Sequence, residues 1–246
     1  LTIRSSSLVP QVSGASVRSV KRGNTITISG ASSYDPDYPS TAISGSLATL
    51  SFTFTCVQSS KPVLLTCPAI SYVTVAPGVL HVTGKSTDAA TSVFTLTIVS
   101  SDGILSASKE VTINSVDLGD PTVEIVTFAA AGSTDVYTNF NTKNRLSLNG
   151  QVTPTTTVGG SATWFVEGAT TDVSSLNPKT VYSNIPVTSG TGGFQTFGFL
   201  LSGETMLGGS TYTFRLVFQQ DDSKSATASF QVVTNSPPSS GKLECS

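Results

Sequence analysis

Leu50-Ser51-Phe52-Thr53-Phe54-Thr55-Cys56 is a seven-residue row in which apolar and hydroxyl-bearing side chains alternate without a break. Successive side chains of an extended strand point to opposite faces, so a period of two puts Leu50, Phe52, Phe54 and Cys56 on one side. The stretch therefore predicts a β-strand with one aromatic face turned to a core and one hydroxyl face turned to water.

The same period runs outward in both directions. Ile26 and Ile28 alternate with Thr and Ser upstream. Downstream come Tyr72 and Thr74 interleaved with Val73 and Val75, then Leu80 and Val82, then Phe94, Leu96 and Ile98, then Val111 and Ile113. Pro77-Gly78, Asp102-Gly103 and Gly/Ser clusters mark turns between these rows. That gives about seven strands ending near Val116, the number of a simple β-sandwich. Asp117-Leu118-Gly119-Asp120-Pro121 then interrupts the pattern as a linker or corner. A second series follows: Val123 and Ile125, Leu146 and Leu148, Trp164 and Val166, Phe197 and Phe199, Tyr212 to Phe218, and Ala228 to Val232. No stretch carries a convincing helical period. The expectation is an all-β chain of two tandem immunoglobulin-like or fibronectin-III-like β-sandwich domains, residues 1–116 and 117–234. Residues 235–246 read as a Pro/Ser linker to a following module, since Pro237 and Pro238 have no backbone hydrogen to donate to a sheet. The sequence alone does not separate a fibronectin strand order from an immunoglobulin one. Leu207-Gly-Gly-Ser-Thr-Tyr212 has the spacing of a tyrosine corner, in which the Tyr212 hydroxyl bonds back to the backbone upstream. Trp164 stands where the core tryptophan of such a sheet is expected, and Phe94 takes the place of the corner strand's aromatic residue in the first half.

Charged residues make up 11% of the chain, against about 25% in an average soluble domain. Hydrophobic residues make up 38% and the net charge is only -2, which points to a folded chain rather than a disordered one. Thirteen basic and fifteen acidic residues exclude a strong bias toward nucleic acid, and the Lys21-Arg22 doublet reads as a solvated pair. Cys56 and Cys67 are expected to close a disulfide, which implies an oxidising compartment. Cys245 is then left over, and an inter-module disulfide is one use for it. No Asn-x-Ser/Thr sequon occurs, so a glycoprotein would carry O-linked sugars on its Thr-rich and Pro/Ser-rich stretches. With no leader and no apolar run of the ~20 residues that cross a bilayer, the chain reads as a mature or excised segment whose membrane anchor lies outside it.

Catalytic signatures are sparse. His81 is the only histidine, no Gly-x-Ser-x-Gly elbow occurs, and Cys or His at zinc-ligand spacing is missing. The chain is expected not to be an enzyme. Calcium needs about six to eight oxygen ligands. Asp35 and Asp37, with Asp88 or Asp102 approaching from other loops, form a weak candidate site, but Asx turns account for the Asp35–Asp37 pair more simply. Asp117 and Asp120 form a second weak candidate between the halves. Tyr72, Tyr182 and Phe194 are candidates for stacking on sugars, with core packing as the default. Exposed edge strands offer β-augmentation to a partner.

Two motifs carry a family resemblance. Ile28-Ser-Gly-Ala-Ser-Ser-Tyr-Asp-Pro-Asp37, followed by the Leu50–Cys56 row, resembles the start of a receptor-for-egg-jelly (REJ) module. The tail from Asn235 to Cys245, Asn-Ser-Pro-Pro-Ser-Ser-Gly-Lys-Leu-Glu-Cys, is similar to that family's junction between successive domains. Asp-Pro-Asp turns also occur in polycystic-kidney-disease (PKD) repeats. Phe54 stands where the family often has Trp, and the spacer between Gly241 and Cys245 is longer than its pattern. The resemblance implies a non-catalytic structural and adhesive segment in the ectodomain of a large polycystin-like or ciliary surface protein. Its expected partners are other modules of the same protein and proteins at the cell or ciliary surface, a polycystin-type channel among them. The alternative is a recognition module that binds a glycan or matrix protein through its loops.

Overall fold

A computed structural model describes residues 6–37, 50–59, 66–85, 89–126, 138–155, 157–168, 172–189 and 193–235. The alternating rows form strands as their period demands. The first half holds β1 (Val17–Lys21), β2 (Thr25–Ser29), β3 (Ser51–Ser59), β4 (Ile70–Ala76), β5 (Val79–Gly84), β6 (Ala90–Val99) and β7 (Ser106–Val116). The second holds β8 (Thr122–Val126), β9 (Thr138–Phe140), β10 (Leu146–Thr153), β11 (Gly160–Gly168), β12 (Ile185–Val187), β13 (Gln195–Leu201), β14 (Thr211–Gln220) and β15 (Ser225–Thr234). The one helical turn among the described residues is a 3₁₀ segment, Val173–Leu176. The Asp172 carboxylate caps it by accepting from the Ser174 amide at 2.9 Å. The fold class is all-β, with packed sheets forming sandwiches.

Each half pairs two sheets over its own core. In the first, β2-β5-β4 faces β1-β7-β6-β3. β6 shows how the period drives this: Ser92, Phe94, Leu96 and Ile98 are buried and the residues between them are not. Burying a Phe or Leu side chain stabilises by about 1.5–3 kcal/mol. Phe94 packs with Val20, Ile28, Leu80 and Ile113, and the Tyr72 ring meets its face edge-on at 5.2 Å. In the second half, β13-β10-β8 faces β12-β11-β14-β15 around Trp164, Phe199, Tyr212 and Phe214. Gly150 makes room for this core, because a Cβ there would lie 2.1 Å from a Leu216 methyl and 3.0 Å from the Trp164 ring. The strand orders differ between the halves. β4 joins β5, as the fourth strand does in an immunoglobulin constant-type sheet, whereas β12 joins β11 on the opposite sheet.

The sheets do not stop at the boundary between the halves. β1 pairs in parallel with β7 over five residues, Val17 opposite Thr112 through Lys21 opposite Val116. Its other edge pairs antiparallel with β15, Val17 opposite Ser229. A single sheet therefore runs β12-β11-β14-β15-β1-β7-β6-β3, with β9 attached to β15. The two β-sandwiches are thus linked through β1, which contributes to the same sheet as strands of both halves. Residues 117–121 form a tight turn closed by the Asp120 amide on the Asp117 carbonyl at 3.1 Å.

Candidate functional site at the junction of the halves

The junction begins with the segment before β1. The Ser13 amide donates to the Ser29 carbonyl of the first half at 2.8 Å, and the Ser16 amide donates to Ser229 of the second half at 2.8 Å. Between them Ala15 is buried in the second half's core. The Ser16 carbonyl accepts from the Thr112 amide at 2.8 Å. Ser16 is thus hydrogen-bonded to β7 on one side and β15 on the other.

Arg18 lies under this crossing. Its Nε donates to the Ala15 carbonyl at 2.7 Å, Nη1 to the Thr27 carbonyl at 2.8 Å, and Nη2 to the Ser13 carbonyl. Gly14 adopts a left-handed φ of +79°, and a Cβ there would lie 3.0 Å from Nη2. Burial pushes the Arg18 guanidinium down to about 10, against an opposing pull from Glu124 of β8. Next to it, between β2 and the β8–β10 face, lies a groove of about 480 Å³ lined by Asn24, Thr25, Glu124, Gln151 and Phe194. Phe194 is 60% exposed there.

Two lysines border the 117–121 turn, and one of them, Lys21, also lines the groove. Lys224, in the β14–β15 turn, donates to Asp120 Oδ1 at 3.0 Å and lies 3.5 Å from the Gly119 carbonyl. Asp120 holds the Lys224 ammonium above the ordinary lysine range. Lys21 Nζ approaches the Leu118 carbonyl at 3.4 Å. Ammonium groups thus already face the oxygens that a calcium ion between the halves would need. Asp117 accepts from the Leu118 amide at 2.7 Å within its own turn. Lys109 of β7 adds a further tie, donating to Gln231 Oε1 of β15 at 3.0 Å.

The other candidate residues scatter. Cys56 and Cys67 are joined by a disulfide with Cα atoms 6.1 Å apart. Asp35 is buried and its Oδ1 accepts from the Asp37 amide at 3.0 Å, as an Asx turn requires. Asp37 Oδ2 accepts from the Ser6 amide at 2.8 Å. Asp102 turns its carboxylate onto the Ser100 hydroxyl and the Ile104 amide, which hold it below the usual carboxylate range. Asp88 and Cys245 lie outside the described residues. No group of three or more His, Cys, Asp or Glu is arranged to hold a metal among the described residues. His81 sits mid-strand on β5 between Thr27 and Val73. Tyr72 packs on Phe94, Tyr182 packs on the second core, and Phe194 lines the groove, so the three aromatics have separate surroundings. The Tyr212 hydroxyl accepts from the Leu207 amide at 2.8 Å, closing a corner five residues long. Sequence reasoning did not single out Ser16, Arg18, Ser229 or Lys224. Ser16 and Ser229 stand 213 residues apart, and no local pattern connects them.

Among the described residues no helix is long and apolar enough to cross a membrane. The chain has no match among curated protein sequences. Solved structures similar to it include the PKD domain from the KIAA 1837 protein, at 14% identity and TM-score 0.29, over 54% of this chain and 100% of that one. The fibronectin(III)-like modules of Clostridium thermocellum CbhA match at 14% identity and TM-score 0.25, over 94% of each chain. Titin domains z1z2, solved in complex with telethonin, match at 9% identity and TM-score 0.27, over 97% of this chain and 100% of that one. The REJ domain family matches residues 1–246, the whole length of the sequence, and the chain belongs to that family.

Proposed function

We propose that this chain is a non-catalytic structural and adhesive segment of a large extracellular protein, and that it carries tension between neighbouring modules at a cell or ciliary surface. The observation behind this reading is the sheet that runs through both halves by way of β1. Tension entering the first half before β1 and leaving after β7 pulls two adjacent parallel strands in opposite directions. That geometry loads the hydrogen bonds of all five register pairs together instead of one at a time. The Cys56–Cys67 bridge suits an oxidising extracellular setting. Neighbouring modules of the same protein, surface proteins and a polycystin-type channel are the partners.

Single-molecule stretching of the intact chain between terminal handles tests the mechanical part. A distinct rupture peak is expected, lowered by Thr112→Pro, which removes the amide that bonds the Ser16 carbonyl. Gradual extension without a peak refutes it. Cross-linking mass spectrometry on the native surface tests the partners, and links to protein modules or channel subunits are expected.

A second reading, a module that recognises a glycan or matrix protein, draws on the polar groove with its exposed Phe194. Phe194→Ala separates the two readings. It abolishes ligand capture under the second and leaves rupture force unchanged under the first.

A further inference from the structure

We infer that Ser13–Arg18 is a latch that fixes the two halves side by side, and that Arg18 is its pin. The segment has no strand partner of its own until Val17, yet it bonds to three separated places: Ser29 after Ser13, and both Thr112 and Ser229 at Ser16. Ala15, between these anchors, is inserted in the second half's core although it belongs to the first half's chain. An irregular segment threaded this way needs its own carbonyls satisfied.

Arg18 satisfies two of them, Ser13 and Ala15, and with its remaining fork reaches Thr27 on β2. The planar guanidinium directs several donors at once from one rigid group, which a lysine ammonium on a flexible stem does not reproduce. Gly14 completes the device, because its left-handed backbone bends the segment around the guanidinium and its missing Cβ leaves the space that Nη2 fills. Glu124 of β8 adds favourable charge from the second half. Released from Arg18, the segment keeps only its end bonds, and the Ser13 and Ala15 carbonyls lose their donors, so the bonds at Ser16 to Thr112 and Ser229 open more often.

Hydrogen–deuterium exchange on the intact chain, read residue by residue, tests this. The reporters are the amides of Ser13, Ser16 and Thr112, whose acceptors lie in the latch or across it. The amides of Ala162 and Leu216, deep in the second half, serve as the reference. Arg18→Ala is expected to speed exchange at the three reporters tenfold or more relative to the reference pair, and Arg18→Lys to give an intermediate rise. Should Arg18→Ala fail to fold, Gly14→Ala displaces the guanidinium more gently and is expected to give the same local pattern. Exchange unchanged at the reporters, or raised uniformly along the chain, overturns the latch.

Discussion

Phe94→Ala in the first half should be detected by Trp164 in the second. Phe94 is 1% exposed, and its replacement leaves a cavity in the first core while removing the edge-on contact with Tyr72. Such changes cost about 3–5 kcal/mol. The second half cannot stand apart from this loss. If the first half unfolds, the second loses the Ser16 amide and hydroxyl on Ser229, the Lys109–Gln231 bond and the burial of Ala15. Three hydrogen bonds at about 1 kcal/mol each, with a small apolar burial added, give a coupling of roughly 4 kcal/mol. That is a large share of the 5–15 kcal/mol that holds a typical protein folded, so the halves are expected to unfold together. Trp164 is the only tryptophan, so its fluorescence reports the second core without any label. In urea its midpoint is expected to fall by about 1–2.5 M, taking slopes of 2–3 kcal/mol per M for a chain of this size. Far-UV circular dichroism should give the same midpoint. A Trp164 transition that stays at the wild-type urea concentration while circular dichroism loses amplitude earlier would show independent halves, and would refute the coupling.

Other outcomes follow from single features. Replacing both Cys56 and Cys67 by Ala should cost about 3 kcal/mol, because the bridge closes a loop of eleven residues, and should lower the calorimetric midpoint accordingly. Tyr212→Phe leaves the Leu207 amide without its acceptor and should cost about 1–2 kcal/mol in urea titrations. Asp172 is held below the usual carboxylate range by the Ser174 hydroxyl and amide. Its folded-state proton affinity is depressed, so its stabilisation is complete above the unfolded carboxylate range near pH 4 and disappears as the pH falls through the lower folded value. Carboxyl-carbon NMR titration should therefore give an Asp172 midpoint below that of an unfolded peptide, and Ser174→Ala should bring it back up. Asp120→Asn should change stability by less than about 1 kcal/mol, because the pair with Lys224 is substantially exposed to solvent.

The features legible in the sequence were those set by neighbours a few residues apart. Phe94, Leu96 and Ile98 declare a strand because the backbone alternates its faces whatever lies beyond. Leu207 and Tyr212 sit five residues apart, within reach of one hydrogen bond. The order of strands is another matter. β4 runs seven residues and β12 three, and one joins β5 while the other joins β11, a partner that neither strand's own residues name. The junction was hidden for a stronger reason. Val17 and Ser229 have no local property that names each other, and an arginine one residue further on looks like any surface charge. The acidic turn at 117–121 drew attention as a metal candidate because its carboxylates are visible in sequence. The ammonium groups of Lys21 and Lys224 that face it arrive from opposite ends of the chain.

The shared strand also bears on how such a protein is passed on. A recombination point within residues 117–121 falls in a turn, where inserted or exchanged domains are ordinarily tolerated. Here the second half would arrive without Ala15 in its core and with the β15 edge at Ser229 bare. The first half would keep a strand shaped to cover an edge that is no longer present. Duplication or shuffling is therefore expected to move the two sandwiches together, as one heritable block, even though each has the size and core of a domain.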